Sequence, residues 1–332
     1  MFAKKILLGC VAVLSLGSVS SVAASEGWPT KPVRVLVAYP PGGAADLVAR
    51  HVASHLQESF GQPFIVVNRP GGNTIIAADD AAKSPSDGYT FYISSPNIAT
   101  LPTLFAGKLP FDPERDFVPV GLLSRVPFFI FVPKGLEVDS FSDLLAMAKE
   151  NPGKLSYAYN GAGTTAQLGM ELLKQRKGLD ILPVPYKSNT SAQIDLAAGR
   201  VDIVMGDMTV GGGTLADRSD IQSDRVKVLA ATPGERSAFL PNVPTIAEAG
   251  DLPGFDASIW FGMFAPTGTP QEIIERMNAA MAQYLTSNEA KEAFGKLGQE
   301  PAVVTPQELG DIVREQSRSY REVIEKAGIK IS

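Results

Sequence analysis

Two short turns carry the residues best suited to hold a ligand. Pro40-Pro41-Gly42-Gly43-Ala44-Ala45-Asp46 follows the apolar run Val33-Arg34-Val35-Leu36-Val37-Ala38, and Asn160-Gly161-Ala162-Gly163-Thr164-Thr165 follows Leu155 to Tyr159. A helical pattern comes after each. At a strand-to-helix turn the first helical N–H groups have no internal partner, and the helix dipole adds positive potential. Such a place suits an anion, carboxylate or phosphate. Glycine lets the backbone approach that anion without a Cβ in the way. Any strand-to-helix turn can need glycine, so it is the occurrence of two such turns, one in each half of the chain, that points to binding. Neither has G-x-G-x-x-G spacing or the Gly-Lys-Ser/Thr ending of a triphosphate loop. The candidates here are Pro41, Gly42, Gly43, Ala44, Ala45, Gly161, Gly163, Thr164 and Thr165.

Other candidates are single residues with a plain competing role. Gly71-Gly72-Asn73-Thr74 is a third turn at the same expected edge and adds Gly72 and Asn73. Ser94 and Ser95 offer hydroxyl donors, and ordinary turn chemistry explains them equally well. Asp207 follows an apolar run at the expected ligand edge, where it would accept from an ammonium, a hydroxyl or a water, or cap a helix. His51 and His55 have metal-compatible i, i+4 spacing, but no H-E-x-x-H pattern and no nearby cysteine, so boundary or surface histidines are favoured. Asp79 and Asp80 are adjacent on a helix and do not face one target. Trp260 opens a buried-looking run and either walls a cleft or fills a core. No catalytic residue, cofactor or metal is expected from this set.

The elements that must position these turns alternate. Helices are expected at about 44–60 and 74–83, with Val48, Val52, Leu56 and Phe60 as the packing stripe of the first. Strands are expected at 33–38, 64–67 and 90–94. The pattern then restarts, with a helix capped by Ser140 and Asp143, strands at 155–159, 181–184, 201–205 and 226–231, and helices at 166–174 and 191–198. Strand, glycine turn, helix, strand is an α/β pattern, with sheets expected to be mostly parallel. Thr269-Pro270-Gln271-Glu272 and Thr305-Pro306-Gln307-Glu308 read as two matching helix starts, threonine as N-cap and glutamate reaching back. The layout is two α/β domains: residues 25–125 with 251–332, and residues 126–250. The tail helices are expected to lie on the first.

Composition narrows the function. With 332 residues, 45% hydrophobic and only 20% charged, the chain has ample material for packed cores. Lys+Arg 30 against Asp+Glu 35 gives a formal charge of -5, and without a basic run nucleic acid is not an expected partner. Two histidines and one cysteine leave little for a metal cluster. Lys4 and Lys5 precede an apolar run and then Val22-Ala23-Ala24-Ser25, the order of a signal peptide cleaved after Ala24. Leu7-Leu8-Gly9-Cys10 looks like a lipoprotein site, but too few apolar residues precede it. An exported protein is expected.

Together these residues resemble the substrate-binding receptors of tripartite tricarboxylate transporters, the Bordetella uptake gene (Bug) or TctC family. The resemblance rests on WPTKPV from Trp28, AYPPGGAADLVAR from Ala38 to Arg50, FGQPFIVVNRPGG from Phe60 to Gly72, and SPSDGYTF from Ser84. It continues through LPFDPERDFVPV from Leu109, NPGKLSYAYNGAGTTAQL from Asn151, VPYKS from Val184, LPNVPTIAEAG from Leu240 and WFGMFAPTGTP from Trp260. The resemblance implies a two-domain periplasmic binding protein, type II-like, with a small mono- or dicarboxylate in the cleft and membrane permease subunits as partners. It also implies that the loops at 41–45 and 161–165 and the residue Asp207 meet the ligand. Three departures bear on the solute: Ala44-Ala45 where the family often has a hydroxyl, a shorter turn after Asn68-Arg69-Pro70-Gly71-Gly72, and a longer segment at 211–225. An exported α/β enzyme using Asp207 or a hydroxyl, and a sensor of the same fold, are the competing functions.

Overall fold

The computed structural model describes residues 27–211 and 225–331. The expected signal peptide with its cleavage site, Cys10, and most of the 211–225 segment lie outside the described residues. The first part of the chain forms β1 (Val33–Val37), α1 (Ala44–Phe60), β2 (Phe64–Asn68), α2 (Ile75–Ala82), β3 (Thr90–Ser94), α3 (Asn97–Leu104), α4 (Pro113–Asp116) and β4 (Phe117–Val126). The middle forms β5 (Phe129–Pro133), α5 (Phe141–Glu150), β6 (Ser156–Tyr159), α6 (Thr165–Lys177), β7 (Leu182–Pro185), α7 (Asn189–Ala197), β8 (Ile203–Gly206), β9 (Val226–Ala231) and α8 (Ile246–Ala249). The tail adds β10 (Ile259–Pro266), α9 (Gln271–Leu285), α10 (Asn288–Lys296), β11 (Glu300–Pro301) and α11 (Pro306–Ala327).

Two sheets result, one per domain, with orders β11-β4-β10-β3-β1-β2 and β7-β6-β8-β5-β9. Side chains alternate across β1: Val33, Val35 and Val37 pack under α1 and α9, whereas Leu36 packs on the other face with α2, α3 and the start of α11. The α1 stripe of Val48, Val52 and Leu56 is fully buried, each such side chain contributing about 1.5–3 kcal/mol of hydrophobic stabilisation. Gly61, left-handed at φ 68°, closes that helix. The second sheet is likewise covered on both faces, by α5, α6 and α8 on one and α7 on the other.

The sheets are mixed, not mostly parallel. β1, β2 and β3 are parallel, as are β6, β7 and β8, but β10 and β5 run against their neighbours. The cause is the pair of crossings between domains. β4 ends at Val126 and β5 begins three residues later at Phe129; β9 ends at Ala231 and β10 begins at Ile259. Val126 pairs with Ile259, and Phe129 pairs with both Gly206 and Ala231. Both crossings therefore sit at the edge where the parallel strands end. A strand that enters a sheet at that edge has to run away from it, and β5 and β10 do.

The tail is more widely spread than the sequence suggests. Leu309, Ile312 and Val313 of α11 pack on the first domain, but Tyr320, Val323 and Ile324 belong to the core of the second. Gln175 Nε2 donates to Val323 O at 3.3 Å, and Arg125 pairs with Asp256 across the crossings at 2.9 Å. Ser237 Oγ and Ala238 N also donate to Glu300 Oε1, each at 2.7 Å, tying the second domain to β11. The two threonine starts differ. Thr305 and Glu308 form a capping box, but α9 opens on Pro270, one residue later than expected, because the Thr269 hydroxyl turns inward to donate to Pro266 O at 2.8 Å.

Candidate functional site

Because the crossings lie where the parallel strands end, every loop that follows those strands faces the space between the domains. In the first domain these are the segments 38–43, 69–74 and 95–96; in the second, 160–164, 186–188 and Asp207. The candidate ligand residues fall on these loops or on the first turns of the helices that follow, except Ser94, which is the last residue of β3. Pro41, Gly42, Ala44, Gly72, Asn73 and Gly161 are exposed there, and Gly43, Gly163, Thr164, Thr165 and Asp207 are half-buried. Ala45, Ser94 and Ser95 are buried. The second-domain turn reaches across: a Cβ placed on Gly163 would stand 2.9 Å from Leu104 Cδ1, at the end of α3 in the first domain.

The two glycine turns share one construction. Gly42 and Gly163 are both left-handed, at φ 78° and 76°, a conformation that favours glycine. Gly42 N donates to Asp46 Oδ2 at 2.9 Å, and Gly163 N donates to Gln167 Oε1 at 2.8 Å. In each case the acceptor is four residues on, in the first turn of α1 or α6. Neither helix has a side-chain cap, whereas Ser140, Ser188, Thr245, Ser287 and Thr305 close α5, α7, α8, α10 and α11. Thr164, although at the N-cap, gives its hydroxyl to Gly161 O at 3.0 Å. The donors available to an anion are thus the first-turn N–H groups of Ala44, Ala45 and Asp46 and of Thr165 onward, and not the N–H of Gly42.

Asp46 is the residue that sequence reasoning missed. It is 1% exposed and receives Gly42 N, Arg50 Nε at 2.9 Å and Asn68 Nδ2 at 2.9 Å. Burial works against its charge, but the hydrogen bonds from Arg50, Gly42 and Asn68 outweigh that and hold its carboxyl below the usual range. Asn68 also donates to Tyr39 O at 3.0 Å, so the first and second loops are clamped together. Tyr39 reaches the third loop, its hydroxyl donating to Ser95 Oγ at 2.6 Å, and Ser95 Oγ accepts Asn97 N at 3.3 Å. Ser94 Oγ lies 3.2 Å from the Tyr92 hydroxyl inside the core. The second loop is held in an unusual shape, with Gly71, Gly72, Asn73 and Thr74 all at positive φ. For β-branched, buried Thr74 at φ 77° that shape costs on the order of 1–3 kcal/mol.

No lysine or arginine stands in the two main turns. Arg50 is bound to Asp46, Arg69 lies 3.3 Å from Asp80, and Lys187 is exposed. The remaining candidates fall elsewhere. His55 stacks on Tyr284 at 5.0 Å, His51 is exposed, and among the described residues no three metal-binding side chains gather. Asp79 pairs with Lys83 and Asp80 with Arg34. Trp260 is not a cleft wall: it is fully buried and donates from Nε1 to Gln316 Oε1 at 3.0 Å.

Comparison with known proteins agrees with this architecture. Residues 48–329 match the profile of the tripartite tricarboxylate transporter family receptor. The chain is 38% identical over 90% of its length to a protein encoded in the tcbD-tcbE intergenic region of Pseudomonas sp. strain P51, covering 87% of it. It is 33% identical to protein BugT of Bordetella pertussis, over 96% of both. Among solved structures, R. palustris Rpa4515 with adipate is 36% identical, with 91% of this chain and 99% of that one covered and a TM-score of 0.67. MatC (Rpa3494) from Rhodopseudomonas palustris with bound malate is 28% identical, with 90% and 100% covered and a TM-score of 0.64. The profile takes in both domains from residue 48 on and the second glycine turn, while the first turn, at 40–46, lies in the stretch aligned with BugT: the chain belongs to the receptor family of tripartite tricarboxylate transporters, the Bug family.

Proposed function

We propose that the protein is an extracytoplasmic receptor that captures a small mono- or dicarboxylate between its domains and passes it, unchanged, to the membrane subunits of a transporter. The observation that carries this is the pair of uncapped helix starts, α1 and α6, on loops that face each other across the crossings. Each start offers N–H donors and the positive end of a helix dipole to one anionic group. The solved relatives with adipate and malate favour a carboxylate as that group. Water completes such hydrogen bonding at little cost. Pro41, Gly42, Gly43, Ala44, Ala45, Gly72, Asn73, Ser94 and Ser95 line the first-domain side in this reading, and Gly161, Gly163, Thr164, Thr165 and Asp207 the second. A ligand touching both sides gains contacts only when the domains approach, so binding shifts the population toward closure.

Two features support transport over catalysis. Asp46, the buried carboxylate at the site, is held in its charged form by three donors, and both histidines lie outside the loops. The leader expected at residues 1–24 suits delivery to the periplasm, and a monomer is proposed there. The test is calorimetric titration of the mature protein, freed of endogenous ligand by unfolding and refolding, with adipate, malate and monocarboxylates. Saturable binding of at least one, without turnover of it, is expected. A folded, ligand-free protein that binds none of them would overturn the reading.

A further inference from the structure

The two glycine turns differ in one respect that their shared construction makes legible. The acceptor behind Gly42 is a carboxylate and the acceptor behind Gly163 is a neutral amide. We infer that Asp46 and Gln167 are the positioning residues of the two half-sites, and that Gln167 keeps the start of α6 free of a carboxylate that would repel the ligand. This rests on the carboxylate-binding reading above.

The argument starts from the glycine N–H. In a turn without a side-chain cap, the N–H of the residue before the N-cap competes for whatever acceptor lies nearby. Here it is drawn back to Oδ2 of Asp46 or Oε1 of Gln167, both largely buried. That bond fixes the left-handed glycine and leaves the N–H groups of the following residues to present to the cleft. Glutamine and glutamate would serve this geometry equally, since both place an Oε acceptor on the same stem. The charge would not be equal. A carboxylate at this position lies in the first turn, beside the anion the half-site is to receive, and would repel it. In the first domain the same liability is met by Arg50, whose Nε lies 2.9 Å from Asp46 Oδ2. Among the described residues no arginine or lysine is hydrogen-bonded to Gln167, and Lys174, two turns on, is paired with Glu171 at 2.7 Å. Asp46 has a second task, joining the first and second loops through Asn68.

The test uses adipate or malate, whichever the unaltered protein binds, with Gln167→Met and Gln167→Glu. Methionine keeps the stem length and removes the strong acceptor, so about a tenfold loss of affinity is expected at every pH. Glutamate keeps the acceptor and adds charge, so its loss should be at least as large at about pH 8 and shrink toward the unaltered value as pH falls toward about 6, because burial favours the protonated carboxyl while the ligand stays ionised. A purely structural role would move the thermal midpoint in both variants and give no such pH dependence. Asp46→Asn, read in parallel, should weaken binding without gaining pH dependence, because a one-carbonyl side chain cannot serve Gly42 and Asn68 together. Equal affinity of Gln167→Met and the unaltered protein, or a Gln167→Glu defect that pH leaves unchanged, would overturn the inference while leaving ligand binding itself intact. Absence of binding by the unaltered protein would instead remove the reading on which it rests.

Discussion

Replacing Gly163 with alanine should cost more than the same change at Gly42, and the excess should belong to Leu104. The two glycines have nearly the same backbone, φ 76° and 78°, so both substitutions meet the left-handed penalty of about 1–2 kcal/mol. At Gly42 a new Cβ has nothing within 4 Å. At Gly163 it stands 2.9 Å from Leu104 Cδ1, well inside the roughly 3.5–4.0 Å optimum for carbon pairs. The clashing atom is the end of a flexible side chain, which places the added cost near the low end for overpacking, about 1 kcal/mol. Urea unfolding of Gly42→Ala, Gly163→Ala, Leu104→Ala and the Gly163→Ala/Leu104→Ala double variant measures each part. Gly163→Ala should cost about 1 kcal/mol less in the Leu104→Ala background than alone. Because Leu104 and Gly163 lie in different domains, carboxylate affinity should fall about tenfold in Gly163→Ala and partly recover in the double variant. Additive costs, within the roughly 0.3–0.5 kcal/mol of independent sites, would refute the contact and the closeness of the domains there.

Four other outcomes are expected. Arg69→Ala and Lys187→Ala should each leave carboxylate affinity within about twofold of the unaltered value by calorimetry, since Arg69 is engaged by Asp80 and the anion is held by backbone N–H groups; abolished binding in a folded variant would put an ion pair in charge. Asp46 titrates below its unfolded value, so its stabilisation is full above the ordinary carboxylate pKa of about 3.9 and lost as pH falls through the lower folded value; unfolding between pH 5 and 2 should weaken the unaltered protein more steeply than Asp46→Asn. Thr305→Ala should destabilise by about 1 kcal/mol in urea unfolding through loss of the α11 capping box. Small-angle scattering should show a smaller radius of gyration under saturating ligand than without it, and an unchanged radius would argue against closure.

Local structure was largely legible from the residues. The stripe and glycines around α1 predict a helix over 44–60, and the helix spans Ala44–Phe60; the runs at 90–94 and 226–231 are β3 and β9. The Ser140 and Asp143 pair forms the capping box its spacing suggests. What sequence could not show was which neighbours each element would meet. The α11 stripe from Leu309 to Ile324 is one continuous apolar face, and nothing in its period says that its two halves pack on different domains. The direction of β5 and β10 follows from the crossings, which are a property of the whole chain. Asp46 was readable in part: an aspartate in the first turn after a glycine cap is a candidate to reach back, as Asp143 does toward Ser140. Its link to Asn68 joins residues 22 apart and has no local signature.

The place of β10 in the first sheet sets the order in which the chain can assemble. β10, residues 259–266, lies between β3 and β4, both of which end more than 130 residues earlier. Until it arrives, the sheet has a gap at its centre, with unpaired N–H and C=O groups on the facing sides of β3 and β4. The second sheet has no such gap, because β5 to β9 are contiguous in the chain and close on one another. A chain delivered from its N-terminus therefore completes its second sheet first, and its first domain waits for nearly the whole sequence. The long-range closure makes that last step slow. A chain that stops short of Ile259 would keep an open pair of strand edges, the surface on which aggregation starts.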